Sequence, residues 1–225
     1  MAHARRKSNR VLVIDVGGSH VKCAVRGRQP RRFVSGPRLD PRELVEGVAE
    51  ITRGWTFDVI AMGYPGVVRQ GRIVRDPNNL GPGWIGFDFE TALGHPVKLL
   101  NDAAMQALGA YAGGTMLFLG LGTGLGSAMV VDGVVVPLEL GHLHWVHRKT
   151  YEHYVGDRAR HRLGNRKWRR KVEEIVEDFR AAFQPDYIVI GGGNARHLRK
   201  LLPHTRRGGN ADAITGGRRL WDRKA

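Results

Sequence analysis

Short apolar runs that stop at glycine alternate along this chain with stretches of helical periodicity. Residues 11–16, VLVIDV, and 58–62, DVIAM, are β-branched and brief, the pattern of buried strands. Residues 21–25 read as the hairpin partner of the first. Residues 41–53 place Pro41 at a helix start and Leu44, Val45, Val48 and Ile51 on one face. Residues 67–75 read as a short strand with a turn at Gln70 and Gly71, and 76–86, DPNNLGPGWIG, as a loop. A short strand at 97–100 leads into a helix from 103 to about 111. Residues 115–121 and 126–136 read as paired strands around Gly122, Thr123 and Gly124. The longest helix is expected over 166–183, with Trp168, Val172, Ile175, Val176, Phe179 and Phe183 on one face. A buried strand at 186–190 ends in Gly191, Gly192 and Gly193, with helices expected over 194–201 and 211–223.

Alternating strands and helices predict an α/β fold. A strand, a hairpin, then helix and strand occur early and again from about residue 115, which suggests a duplicated plan. The expected organisation is a basic N-terminal tail over 1–10, an α/β domain over 11–108 and a second over 109–225, with the 211–223 helix able to pack back onto the first.

Charge changes the picture more than composition does. The formal net charge of the 225 residues is +15, which calls for an anionic partner: nucleic acid, polyphosphate, a nucleotide or an acidic membrane. The densest basic run, 158–171, holds Arg158, Arg160, Arg162, Arg166, Lys167, Arg169, Arg170 and Lys171. Cys23 is the only cysteine, so no disulfide forms within the chain and a cysteine zinc site is not expected. No apolar run reaches the roughly 18 residues of a membrane span, and the basic start lacks the apolar stretch of a signal peptide. The cytoplasm is the expected location.

Four groups of residues suggest anion chemistry. In the first, a strand delivers Asp15 to Gly17, Gly18 and Ser19, with Lys22 beyond. Main-chain N–H groups there can face an anion, and the acid can hold Mg2+ or its waters; a plain hairpin turn with a capping aspartate explains the same residues equally well. In the second, Gly120, Gly122, Gly124 and Gly126 alternate between two apolar strands. A dinucleotide fingerprint needs a helix after its glycines, and a strand follows here, so that reading is rejected; four glycines exceed what a bulged hairpin needs, which favours a phosphate loop of Gly122, Thr123 and Gly124. In the third, Gly191, Gly192 and Gly193 precede an expected helix, whose N-terminus would attract a phosphate or nucleotide; close strand–helix packing is the alternative. In the fourth, Asn101 and Asp102 end a strand, and Asp102 serves either as a helix cap or as a general base for a hydroxyl. Phosphoryl transfer requires positioning, charge neutralisation and one such base. A further group, Glu139, His142 and His144, lacks the spacing of a helical zinc motif and suits hydrogen bonds to sugar hydroxyls better.

Taken in order, VIDVGGSHVK, GYPGVV, NNLGPGWIG, LLNDAAMQALGAY, GLGTGLGSAMVVDG, PLELGHLHW, RKWRRKVEEIVEDF and PDYIVIGGGNARH resemble the ROK family of repressors and sugar kinases, and within it the bacterial polyphosphate glucokinases. The resemblance implies an actin-like (ribonuclease H-like) ATPase fold of two α/β domains with a cleft between them. It implies a kinase acting on a hexose, glucose first, with polyphosphate or ATP as donor, Mg2+ as cofactor, no zinc, and a homodimer. Donor contacts would fall on Asp15, Gly17, Gly18, Ser19, Lys22, Gly122, Thr123 and Gly124, and a nucleotide near Gly191, Gly192 and Gly193. Sugar contacts would fall on Gly66, Asn79, Asn101, Asp102, Glu139 and His142, with Asp102 as catalytic base. His144 stands where the glucokinases carry a glutamate that helps hold the sugar, and the loops at 26–38 and 112–115 look shortened. The N-terminus has no helix-turn-helix segment, which argues against the repressor branch. Two other readings stay open: a non-catalytic binder of polyanion or nucleic acid, and a kinase for another small hydroxyl substrate.

Overall fold

The computed structural model describes residues 9–209 and 211–222. Most of the expected basic tail, and Arg223 and Lys224 at the chain end, lie outside them. The chain divides into two compact units: residues up to Asp102 together with the segment from Gly217 onward, and Ala103–Gly216.

In the first unit β1 (Val11–Val16), β2 (His20–Ala24) and β3 (Arg31–Val34) form an antiparallel meander. Helix α1 (Pro41–Ile51) follows, then β4 (Val59–Tyr64), a hairpin of β5 (Val68–Arg69) and β6 (Arg72–Ile73), helix α2 (Phe89–Leu93) and β7 (Val97–Asn101). The sheet order is β3-β2-β1-β4-β7, with β1, β4 and β7 parallel. Helix α1 starts where its sequence says it should. Asp40 accepts from the N–H groups of Arg42 and Glu43 at 2.8 and 2.9 Å, and Glu43 accepts from the Asp40 N–H at 3.2 Å, closing a capping box ahead of Pro41. Its apolar face, with Leu44 and Val48, joins Leu12, Ile14, Ile60, Met62, Tyr64 and Trp84 in one core. Two elements here carry little apolar signal. The edge strand β3 reads RRFV and only Phe33 is half-buried; α2 is five residues long, set by the Asp88 cap on Thr91.

The second unit repeats the plan. Helix α3 (Asp102–Ala110) leads into β8 (Thr115–Leu121), β9 (Leu125–Val131) and β10 (Val134–Leu138). Then come α4 (Tyr151–Val155), α5 (Asp157–Phe183), β11 (Tyr187–Gly191), β12 (Thr205–Arg207) and α6 (Asp212–Asp222), in sheet order β10-β9-β8-β11-β12 with β8, β11 and β12 parallel. Trp168, Val172, Ile175, Val176 and Phe179 of α5 pack against Leu117, Leu119, Ile188 and Ile190 of the sheet.

Three expectations need correction. The run 126–136 is two strands, because Asp132 and Gly133 both take positive φ, 48° and 79°, and close an Asp-Gly hairpin turn. The long helix begins at Asp157 rather than 166; a break at Gly164 (φ 72°, ψ 156°) separates a basic segment of about two turns, whose one buried residue, Ala159, leaves no apolar period to read. The expected 194–201 helix is a single 3-10 turn, Gly193–His197, and Leu198 leaves it in extended conformation. Among the described residues no helix is long and apolar enough to cross a membrane.

Candidate functional site

Parallel strands deliver their C-terminal ends to one edge of a sheet, where ligands of open α/β sheets gather. In the first unit that edge collects most of the residues singled out from sequence. Asp15 lies opposite Gly63 of β4, which lies opposite Leu100 of β7; Tyr64 lies opposite Asn101. Asp15, Gly66, Asn101 and Asp102 therefore emerge together. Asn101 is buried and donates from Nδ2 to the Gly66 carbonyl at 3.0 Å, locking the β4 turn to the end of β7. Asp102 follows as the first residue of α3 and is half-buried.

The Asp15 turn is tighter than a free anion cradle. The Gly17 N–H donates to the His20 carbonyl at 3.1 Å and so closes the hairpin. Ser35, which the sequence did not single out, donates from Oγ to the Gly17 carbonyl at 2.6 Å and from its N–H to the Ser19 carbonyl at 3.1 Å. Gly18 is required for space: the Asn79 amide stands where a Cβ would go, so the loop at 76–86 delivers Asn79 against the turn. Ser19 is exposed. Burial raises the Asp15 carboxyl above its ordinary pKa, against the pull of Lys22, its cross-strand neighbour. The Cys23 thiol behind it is pushed up to about 12 by burial and by Asp15.

In the second unit β8 and β11 end side by side, Gly120 opposite Gly191, so the loop at 122–124 and the glycines at 191–193 share one edge. Gly122 N–H donates to the Gly124 carbonyl at 3.1 Å; the Gly122 carbonyl accepts from Asp157 N–H at 2.9 Å and from Asn194 Nδ2 at 3.2 Å. Thr123 is exposed at the tip, and the Glu152 carboxylate packs against Gly124. The three following glycines have different reasons. A Cβ at Gly191 would strike the Phe118 ring at 2.5 Å, and Gly192 takes φ 78° against the Leu121 backbone. Only Gly193 has open space around it. The 3-10 turn after it supplies no α-helix N-terminus, so the dipole expected there is missing.

Glu139 and His142 stand together beside the same loop. His142 Nδ1 is 3.5 Å from Glu139 Oε2, both side chains about half exposed (52% and 46%). Ser127 pins their segment: its Oγ donates to the Leu138 carbonyl at 2.9 Å and accepts from Leu140 N–H at 3.1 Å. Gly141 rests on the Leu125 carbonyl, where a Cβ would come within 2.6 Å. His144 lies farther along, exposed, in a bridge with Thr150. Among the described residues there is no cluster of three or more His, Cys, Asp or Glu able to hold a metal by itself. Sequence reasoning missed Ser35, Ser127, Asp157 and Asn194. Each is a polar residue next to a glycine, and Ser35, Ser127 and Asn194 are buried; their partners lie too far along the chain to be read.

The family profile described as the ROK family matches residues 11–147. The polyphosphate glucokinase of Mycobacterium tuberculosis (strain CDC 1551 / Oshkosh) is 28% identical over 84% of this chain and 80% of its own length. The crystal structure of inorganic polyphosphate/ATP-glucomannokinase from Arthrobacter sp. strain KM superposes with a TM-score of 0.82 at 24% identity, covering 95% of this chain and 98% of that one. A ROK family glucokinase from Streptomyces griseus, solved in complex with glucose and AMPPNP, gives 0.78 at 17% identity, covering 95% and 99%. These likenesses establish the actin-like ATPase fold. With the profile spanning more than half of its length, this chain belongs to the ROK family.

Proposed function

We propose that this chain is a sugar kinase that moves a phosphoryl group from polyphosphate or ATP to a hexose hydroxyl, glucose being the first acceptor to try, with Asp102 as general base. The observation that carries the reading is the C-terminal edge of the first sheet. It gathers a carboxylate beside a glycine turn (Asp15) and a second at a helix start (Asp102), with Asn101 locked to the Gly66 carbonyl. Family membership and the polyphosphate glucokinase relative support the same chemistry.

In this reading Gly66, Asn79, Asn101, Asp102, Glu139, His142 and His144 hold the sugar. Asp15, Gly18, Ser19, Lys22, Thr123, Gly124 and Gly193 serve the donor directly, and Gly17, Gly122, Gly191 and Gly192 shape the turns that carry them. The Asp102 carboxylate takes the proton of the acceptor hydroxyl as its oxygen bonds to the terminal phosphorus. The bond from that phosphorus to the rest of the donor breaks, and the departing phosphate keeps the electron pair. Mg2+ commonly binds through one or two carboxylates plus substrate phosphates, keeping several waters. Asp15 fits that role: a half-buried carboxylate at a turn, with no cluster of protein ligands around it among the described residues. The ion would neutralise donor charge there.

The test is Asp102→Asn with glucose and each donor. Turnover should fall by about 10²–10⁴-fold, the usual worth of a general base, while glucose binding by calorimetry stays within a few-fold. Near-normal turnover in that variant removes Asp102 from the role. A second acceptor class is favoured by His144, an exposed imidazole where the glucokinases carry a carboxylate to accept from a hydroxyl. Mannose and amino sugars therefore belong in the same screen. Phosphorylation of no sugar with either donor would leave a polyanion-binding protein.

A further inference from the structure

One imidazole of the second unit, His197, accepts from Arg196 and feels two further guanidinium groups, those of Arg160 and Arg169, with the Asp157 carboxylate opposing them. Gly164 breaks the helix between those two arginines. Arg160, before the break, donates from Nη1 to Asn165 Oδ1 at 3.5 Å; Arg169, after it, donates from Nε to the Asn165 carbonyl at 3.0 Å. In an unbroken helix these residues would stand about 13 Å apart along the axis. Arg160 is held firmly, its side chain 14% exposed: Nε donates to Asn194 Oδ1 at 3.1 Å, and Nη2 lies 3.1 Å from Asp157 Oδ1 and 2.9 Å from His161 Nε2. Arg196 donates from Nε to His197 Nε2 at 3.2 Å. His197 is thus an acceptor, and its imidazole is held below the ordinary 6.5 by desolvation and then by Arg160, Arg196 and Arg169, with Asp157 opposing.

The surplus is not balanced locally. Asp157 is shared between Arg160 at 3.1 Å and His161 at 3.5 Å, and no other acid occurs in the chain until Glu173. Arg158, Arg162, Arg166, Lys167 and Arg170 add further cations to the same helix. Like charges packed this closely repel one another unless an anion joins them. The cluster is also joined to the 122–124 loop, because Asn194 and the Asp157 N–H both donate to the Gly122 carbonyl.

We propose that Arg160, Arg169 and Arg196, with His197, form a proton-linked subsite for a linear condensed phosphate beside the 122–124 loop. It rests on the phosphate-donor reading above and extends it from the transferred group to the remainder of the donor. A phosphate seated among the guanidiniums offsets their part of the field that disfavours protonation of His197. His197 then takes a proton from solvent, stops accepting from Arg196, and releases that Nε–H to the anion. Binding consumes protons, so affinity rises as pH falls through the imidazole range.

The test is calorimetry of inorganic tripolyphosphate with the full chain at pH 6 and pH 8, in two buffers of different ionisation heat. Wild-type protein should bind at least about tenfold more tightly at the lower pH, with net proton uptake. Arg196→Gln and Arg169→Gln should each weaken binding about tenfold, as expected for loss of a charge-assisted contact. His197→Gln should lose most of the pH dependence, which separates the protein's proton from those of the phosphate itself. Unchanged affinity in the Arg169→Gln/Arg196→Gln double variant, or an unaltered pH profile in His197→Gln, overturns the proposal. Competition then identifies the source. Arg196→Gln weakening only polyphosphate assigns the subsite to the inorganic chain, weakening ATP as well assigns it to a triphosphate tail, and weakening neither overturns it. Because binding is read without turnover, failure of wild-type protein to phosphorylate any sugar would sink the kinase reading and leave this one standing.

Discussion

Adding one methyl group at Gly18 should damage the site while leaving the fold nearly intact. Gly18 does not take a positive φ, so alanine fits its backbone. What it lacks is room. A Cβ there falls inside the contact distance of Asn79 Nδ2, with Asn79 Cγ at 3.3 Å and Cβ at 3.9 Å. The obstacle is the far end of a flexible side chain, so the amide swings aside by about 1 Å rather than the backbone moving, and unfolding free energy in urea should change by about 1 kcal/mol or less, the low end of overpacking costs. Displacing a positioning group by that distance costs about 10²-fold in rate, about 2.7 kcal/mol of transition-state stabilisation. Coupled assays of kcat/KM should therefore fall by that factor in Gly18→Ala. The cause is checked by a double-mutant cycle. In an Asn79→Ala background the new methyl meets only the residue-79 Cβ at 3.9 Å, an ordinary contact. Gly18→Ala should then cost less than about threefold more, an interaction energy near 2 kcal/mol between the two changes. An equal loss in both backgrounds would refute the reasoning, because the damage would then not pass through the Asn79 amide.

Three other outcomes follow from single features. Asp15 has a raised carboxyl pKa, so the native state holds its proton to higher pH than the unfolded chain, and wild-type stability rises as pH falls through the native value toward the ordinary 3.8. Asp15→Asn should lack that rise and be more stable than wild type at pH 7 by thermal unfolding, while losing kinase activity; a less stable variant at pH 7 contradicts the burial cost. Trp168 is fully buried and donates from Nε1 to the Val155 carbonyl at 2.9 Å, so Trp168→Phe orphans that carbonyl and leaves a void, lowering unfolding free energy by about 2–4 kcal/mol in urea. Gly164→Ala places a side chain at φ 72°, ψ 156° and should cost about 1–3 kcal/mol; wild-type stability there would mean the break straightens, which circular dichroism would show as gained helix.

Elements with strong periodicity were legible in the chain, and weak ones were not. VLVIDV, DVIAM and DYIVI each form central strands because runs of β-branched residues need burial on both faces. The capped start of α1 and the apolar stripe of α5 were equally readable. The edge strands β3 and β12 read as RRFV and TRR, with too little apolar surface to announce pairing. The helix expected after Gly193 is instead a 3-10 turn in which Asn194 donates to the Gly122 carbonyl, 72 residues away, and accepts from Arg160, contacts that no local pattern announces.

The chain by itself determined that this is an α/β protein of two similarly wound halves, rich in glycine turns and cations, and which carboxylates end strands. Those properties follow from local periodicity, from glycine's conformational freedom and from charge count, all written within a few residues. Tertiary structure alone decided which turns can accept a ligand and which are already occupied. Gly17 N–H is spent on His20, Gly191 and Gly192 are small for the sake of Phe118 and Leu121, and Asn79 and Asn101 acquire their places by touching Gly18 and Gly66. A hydrogen bond or a steric contact belongs to two residues at once, and only folding brings the second one within reach.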